Sequence, residues 1–212
     1  SLEDSQAIAR KMEGLVDAFS VSGFGYGPSA LAVMPDIPGA LLPLAAEIKK
    51  VVNVPVIAVG RLNAEIGAMA VASGQADLIA LGRQSIADPD APNKIASGRL
   101  EDIRPCIACF FCCDISAPHD SHILCQVNAE LGREGECEIR PAKVPRRIAV
   151  IGGGPAGLEA ARVLALRGHK VVLLEKEGHL GGMVAVGAIP PYKERLRPLI
   201  SYFSTQLKKL NV

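Results

Sequence analysis

Three short, almost wholly apolar runs punctuate the first hundred residues, Val16 to Ser22, Val54 to Gly60 and Ala76 to Gly82, each ending at a small residue. Runs of this length bounded by turn residues predict strands of a parallel sheet buried on both faces. Helix-length amphipathic segments alternate with them. Ser1-Leu2-Glu3-Asp4 has the form of an N-cap with acids in the first turn, and Ile8, Met12 and Leu15 then share one helical face. Leu44, Ile48, Val51 and Val52 line a second face from which Glu47, Lys49 and Lys50 point away, and Asn63 starts a third helix that Gly74 ends. Strand alternating with helix places this region in the α/β class.

The pattern breaks between Asp102 and Arg147, a stretch of Cys, Pro, Gly and charge that holds all six cysteines. It reads as a connector that carries a site. From Arg147 to Val150 an apolar strand resumes, a glycine-rich turn follows, Leu158 to Arg167 is helical, and Lys170 to Leu174 is a strand closed by Glu175. This predicts a βαβ unit. The chain therefore divides into 1–101, 102–146 and 147–212.

Composition narrows the function classes. Of 212 residues, 49% are hydrophobic and 21% charged, and 23 Lys plus Arg balance 22 Asp plus Glu. That composition excludes a disordered chain and offers no basic surface for nucleic acid or a membrane. No apolar run approaches the roughly 20 residues a bilayer span needs, so a soluble, cytoplasmic protein is expected.

Cys106, Cys109, Cys113 and Cys125 are spaced C-x2-C-x3-C-x11-C, with Cys112 beside the third and Cys137 further on. Disulfides are disfavoured in the expected compartment. Four-cysteine zinc sites usually present two separated pairs, whereas three cysteines crowded together with a distant fourth favour an iron–sulfur cluster of the 4Fe–4S type. Spacing alone leaves Cys112 open as the third ligand in place of Cys113.

Gly152-Gly153-Gly154-Pro155-Ala156-Gly157 follows the strand and opens the helix, and Glu175 ends the next strand eighteen residues past the last glycine. These are the three contexts that make a GxGxxG motif specific for a dinucleotide. Gly152 permits the turn, Gly154 admits a pyrophosphate, Gly157 lets helix meet strand, and Glu175 accepts from a ribose. The motif leaves FAD and NAD(P) open.

With these motifs, the chain resembles the iron–sulfur flavoproteins of the Old Yellow Enzyme class, the family of 2,4-dienoyl-CoA reductase, 2-enoate reductase and trimethylamine dehydrogenase. The resemblance is carried by Val54-Pro55-Val56-Ile57-Ala58-Val59-Gly60-Arg61, Ala76-Asp77-Leu78-Ile79-Ala80-Leu81-Gly82-Arg83, Ala87-Asp88-Pro89, Ile103-Arg104-Pro105-Cys106-Ile107-Ala108-Cys109 and Cys125-Gln126-Val127-Asn128. It implies that Cys106, Cys109, Cys113 and Cys125 hold the cluster, with Cys112 at a non-ligand position. It implies FAD at the glycine loop, and Leu180-Gly181-Gly182-Met183 resembles the stretch that follows the acidic strand end in FAD-binding members. It further implies that 1–101 form the last three βα units of an FMN-binding (β/α)8 TIM barrel, 102–146 an iron–sulfur segment, and 147–212 the start of a Rossmann-like domain. Barrel logic points the same way, because barrel enzymes bind phosphate at the loops after strands 7 and 8. Gly60, Arg61, Gly82 and Arg83 stand at such strand ends.

A whole barrel takes about 250 residues and eight strands, so the chain reads as the middle piece of a longer polypeptide, inactive by itself. The dienoyl-CoA reductases carry a Gly-x-Gly-aromatic-His stretch after the corresponding strand. Here it is Gly23-Phe24-Gly25-Tyr26-Gly27, so Gly27 replaces the histidine. Tyr26 is then the one local catalytic candidate, the acid otherwise being expected upstream, and the proline-rich stretch from Pro28 to Pro43 is more like the enoate reductases. His119 and His122 read as solvated.

The function expected from the resemblance is reduction of the activated C=C bond of a small unsaturated substrate, with electrons passing from NAD(P)H through FAD and the cluster to FMN. An oxidative amine N-demethylase of the same family, or a non-catalytic relay or zinc-stabilised module, is the alternative. Neither nucleic acid nor a membrane is an expected partner, and the residues leave homo-oligomerisation open.

Overall fold

The computed structural model describes residues 1–23, 37–116 and 123–212. They form two compact units, Ser1–Arg83 and Gln84–Val212. Tyr26, Gly27, His119 and His122 lie outside the described residues. Among the described residues, no helix is long and apolar enough to cross a membrane.

In the first unit the three apolar runs become strands β1 (Phe19–Val21), β2 (Val56–Ala58) and β3 (Leu78–Ile79). They pair in parallel in the order β1-β2-β3, with Phe19 opposite Val56 and Ala58 opposite Ile79. Helix α1 (Leu2–Met12) opens on a capping box in which Ser1 and Asp4 satisfy each other's main-chain groups. Helix α2 (Leu42–Lys49) buries Leu42, Ala45 and Ile48, and α3 (Ala64–Ala72) starts where the Asn63 side chain accepts the Ile66 amide at 2.8 Å. Val56, Ala58, Leu62 and Ala70 join α2 in one apolar core. Asp77 pins the sheet's start by accepting from the Val56 amide at 2.9 Å and Lys49 Nζ at 2.6 Å.

The face predicted for α1 is not the one that packs. Ala9 is buried while Ile8, Met12 and Leu15 are exposed. The helix ends at Met12, and Gly14 turns the chain at φ 87°, so Leu15 falls outside the helical register.

Helix α4 (Gly82–Ala87) carries the chain from the first unit into the second, where α5 (Ala91–Ala96) follows. The cysteine segment follows and includes a π-helical turn at Phe111–Ser116. Strands β4 (Arg147–Ile151) and β5 (Lys170–Leu174) then pair in parallel over five residues, with Ile148 opposite Val171. They are joined by α6 (Pro155–Leu166), and α7 (Met183–Gly187) and α8 (Arg197–Lys209) complete the unit. Its core unites Leu158, Ala161, Val171, Leu199, Tyr202, Phe203 and Leu207, and Ile107 and Val127 from the cysteine segment pack against it. Lys209 and Gln206 on α8 both bond Asp102, at 2.7 and 2.8 Å, which joins the last helix to the start of that segment.

Candidate functional site

At the glycine loop the protein's own atoms dictate two of the three glycines. Gly152 lies at φ 100°, a conformation that side chains disfavour. A Cβ on Gly157 would sit 2.0 Å from the Gly152 carbonyl oxygen, so only glycine lets α6 start this close to the turn. Gly154 is different. It caps α6 with an ordinary extended backbone (φ −77°, ψ 174°), and a Cβ there would meet nothing within 4 Å. The protein's packing does not demand glycine there. The open space above Gly154 fits an approaching pyrophosphate, which a helix N-terminus and its free amides attract.

Glu175 sits beneath the loop. Its Oε2 accepts the Gly153 amide at 2.6 Å and its Oε1 the Glu177 amide at 2.9 Å. These amide bonds, Glu177's first and Gly153's next, hold the carboxyl below the usual carboxylate range. Glu175 is thus an ionised acceptor at neutral pH with lone pairs left for a ribose.

Gly60 and Arg61 follow β2, and Gly82 and Arg83 follow β3. Because Ala58 pairs with Ile79, both Gly-Arg pairs leave the same end of neighbouring parallel strands, the carboxyl end where α/β folds bind ligands. Gly60 lies at φ 124°, and a Cβ on it would meet Leu41 at 2.9 Å. Arg61 continues at φ 49°. A Cβ on Gly82 would enter open space, so a phosphate has room beside that amide. Gly60→Ala is expected to destabilise the protein by about 1–3 kcal/mol through backbone strain and overpacking together. Thermal unfolding checks this, with Gly82→Ala as the neutral comparison.

None of the six cysteines is joined in a disulfide. Cys112 is buried at 6% exposure, whereas Cys109 and Cys113 are exposed and Cys106 and Cys125 lie between. Burial first, and then the neighbouring Cys113, push the Cys112 thiol up to about 12, with smaller effects from Cys106 and Cys125. The Cys112 and Cys113 sulfurs are 3.6 Å apart. Ala108 (φ 50°) and Phe110 (φ 60°) both hold left-handed backbone on either side of Cys109, a costly arrangement for non-glycine residues that clusters at binding sites. Among the described residues, no three Cys, His, Asp or Glu side chains already stand in a metal-binding arrangement. The donor set fits an iron–sulfur cluster in its chemistry, four unoxidised thiols on one short, sharply turned segment.

Three polar residues that motif reading passed over tie this segment down. Gln84 donates to the Arg104 carbonyl at 2.8 Å and accepts the Cys106 amide at 3.1 Å. Arg104, buried, donates to the Val127 carbonyl at 3.0 Å. Asn128, also buried, donates to the Ile86 carbonyl at 2.9 Å and accepts the Glu130 amide at 3.1 Å. Arg104 and Asn128 stand in segments that carry the resemblance, which was the available signal for them, whereas Gln84 lies one residue past such a segment and had none.

Comparison with known proteins finds matches to two oxidoreductase families, one on either side of the cysteine segment. The family described as "NADH:flavin oxidoreductase / NADH oxidase" matches residues 43–102, and the family described as "FAD dependent oxidoreductase" matches residues 147–207. Cinnamate reductase of Clostridium sporogenes is 42% identical over 82% of this chain and 26% of its own length. Among solved structures, 2-naphthoyl-CoA reductase in complex with 2-naphthoyl-CoA is 34% identical, covers 99% of this chain and 33% of its own, and superposes with a TM-score of 0.91. Histamine dehydrogenase from Rhizobium sp. 4-9 is 30% identical over 98% of this chain and 31% of its own, with a TM-score of 0.85. These likenesses, at TM-scores of 0.85 to 0.91, place the fold in the α/β class of those enzymes. The chain belongs to the NADH:flavin oxidoreductase / NADH oxidase family. It spans a third or less of the length of these relatives.

Proposed function

We propose that this chain is part of an NAD(P)H-dependent reductase of activated C=C bonds, of the enoate or enone type. The observation that carries the reading is the order of parts on one chain: a segment matching the NADH:flavin oxidoreductase family, a segment with four closely spaced cysteines outside any disulfide, and a segment matching an FAD-dependent oxidoreductase. Residues 1–101 would be βα units of an FMN-binding TIM barrel, 102–146 the 4Fe–4S segment, and 147–212 the start of a Rossmann-like domain. Bound flavins would supply hydride chemistry and a 4Fe–4S cluster would supply one-electron transfer, and the net reaction would use one NAD(P)H and one proton per C=C bond reduced.

The chain's own residues hold and orient. Gly154 and the first amides of α6 would face the FAD pyrophosphate, and Glu175 would accept from its ribose. Gly60 and Gly82 amides with Arg61 and Arg83 would bind the FMN phosphate, where arginine offers a bidentate fork. Cys106, Cys109, Cys113 and Cys125 would ligate the cluster. The likeness to cinnamate reductase and 2-naphthoyl-CoA reductase supports the reductive direction, and the likeness to histamine dehydrogenase favours amine oxidation as the second reading.

Anaerobic assay of the holoenzyme separates them. The reductive reading expects NADH or NADPH oxidation matched one for one by saturated product from a cinnamate-type enoate. Bleaching of the flavin by a secondary or tertiary amine, with no alkene reduced, would establish the second reading instead.

A further inference from the structure

We propose that Arg104 and Gln84 are positioning residues for the cluster, closing the two ends of the cysteine segment on each other so that its thiols converge. The inference rests on the iron–sulfur reading of that segment and adds to it two residues that carry no sulfur.

The four candidate ligands lie between residues 106 and 125, and Arg104 spans that whole interval. Its guanidinium donates to the carbonyl of Val127, two residues past Cys125, while its own main chain lies two residues before Cys106. The amide, the carbonyl and the second terminal nitrogen of Arg104 are held as well. Its amide donates to Asp88 Oδ2 at 2.8 Å, and Asp88 is itself buried and paired with Lys94 at 2.7 Å. Its carbonyl accepts from Gln84 Nε2, and the same Gln84 side chain takes the Cys106 amide through Oε1. The other arm of the guanidinium reaches Glu159 at 3.4 Å, and Glu159 is gripped by two 2.7 Å bonds from Arg162. The Tyr202 ring lies beneath, 5.9 Å away.

Burying a guanidinium costs several kcal/mol unless its donors are satisfied, and a segment that needed only to turn would not require one. The bond that closes the interval is the one to the Val127 carbonyl, which a side chain without a donor, such as methionine's, could not make. Closing a loop of some twenty residues carries an entropic cost, and a cross-link already made in the protein removes that cost from the step in which thiols gather on iron. Residues that orient metal ligands in this way typically change metal retention about 10–100-fold when replaced.

The test uses the anaerobically prepared holoenzyme and the variants Arg104→Met and Gln84→Leu. Readouts are iron per chain, the rate of iron release to a ferrous chelator, the electron paramagnetic resonance spectrum after dithionite reduction, and FAD per chain. Both variants are expected to release iron about 10–100-fold faster and to show altered spectra, with FAD content unchanged. Release within about twofold of the unsubstituted enzyme, with an unchanged spectrum, would overturn the proposal. So would loss of FAD in step with iron, which marks a general structural prop. Should Arg104→Met fail to fold, Gln84→Leu decides alone, since it leaves the guanidinium network in place. An unsubstituted enzyme without iron would sink the iron–sulfur reading and this inference together, whereas four irons with indifferent variants would sink this inference only.

Discussion

Gly157→Ala is expected to destroy the dinucleotide turn, whereas Gly154→Ala is expected to leave the fold intact and still lose the dinucleotide. At Gly157 the added carbon would lie 2.0 Å from a main-chain oxygen of the same turn. Overpacking costs about 1–3 kcal/mol where side chains can shift. Here the obstruction is backbone, held on one side by the β4–β5 pairing and on the other by the start of α6, so the cost falls at the top of that range or beyond. Bound FAD should drop by at least about tenfold, which corresponds to ~1.4 kcal/mol, and the thermal midpoint should fall with it. At Gly154 nothing stands within 4 Å and the backbone is ordinary. Its alanine variant should therefore unfold with the unsubstituted protein while FAD retention falls, because the methyl group enters the space reserved for pyrophosphate. A Gly154→Ala protein that keeps its full FAD would contradict that assignment of the loop.

The loop was legible in the sequence because its evidence is local. Strand, glycines, helix and Glu175 all fall within 29 residues, and β4, α6 and β5 form where the pattern places them. The three apolar runs likewise become β1, β2 and β3, although each strand is shorter than its run. Long-range polar bonds left no such trace. Gln84, Arg104 and Asn128 act on carbonyls and amides 20 to 42 residues away, and no periodicity records a side chain that bonds distant backbone. The exposed face of α1 escaped for the opposite reason: a helical repeat was present, but the helix stops before Leu15 joins it. The π-helical turn at Phe111–Ser116 also has no sequence signature beyond the crowding of cysteines.

The second large effect concerns the paired cysteines. Cys113→Ser is expected to strip iron from the protein, and Cys112→Ser to leave it bound. Cys112 is buried, and its thiol is pushed up to about 12 by that burial, so it behaves as a small apolar core residue. Cys113, its neighbour, is exposed and able to present sulfur to a metal. Loss of one thiolate from a four-thiolate site should take iron from about four per chain to about one or fewer. The reverse outcome would shift the ligand set to Cys106, Cys109, Cys112 and Cys125.

Metal analysis of anaerobically prepared protein decides whether the cysteine segment holds a cluster. Such protein should be brown, with about four irons and four acid-labile sulfides per chain. One zinc per chain in a colourless protein, with no iron, would contradict it.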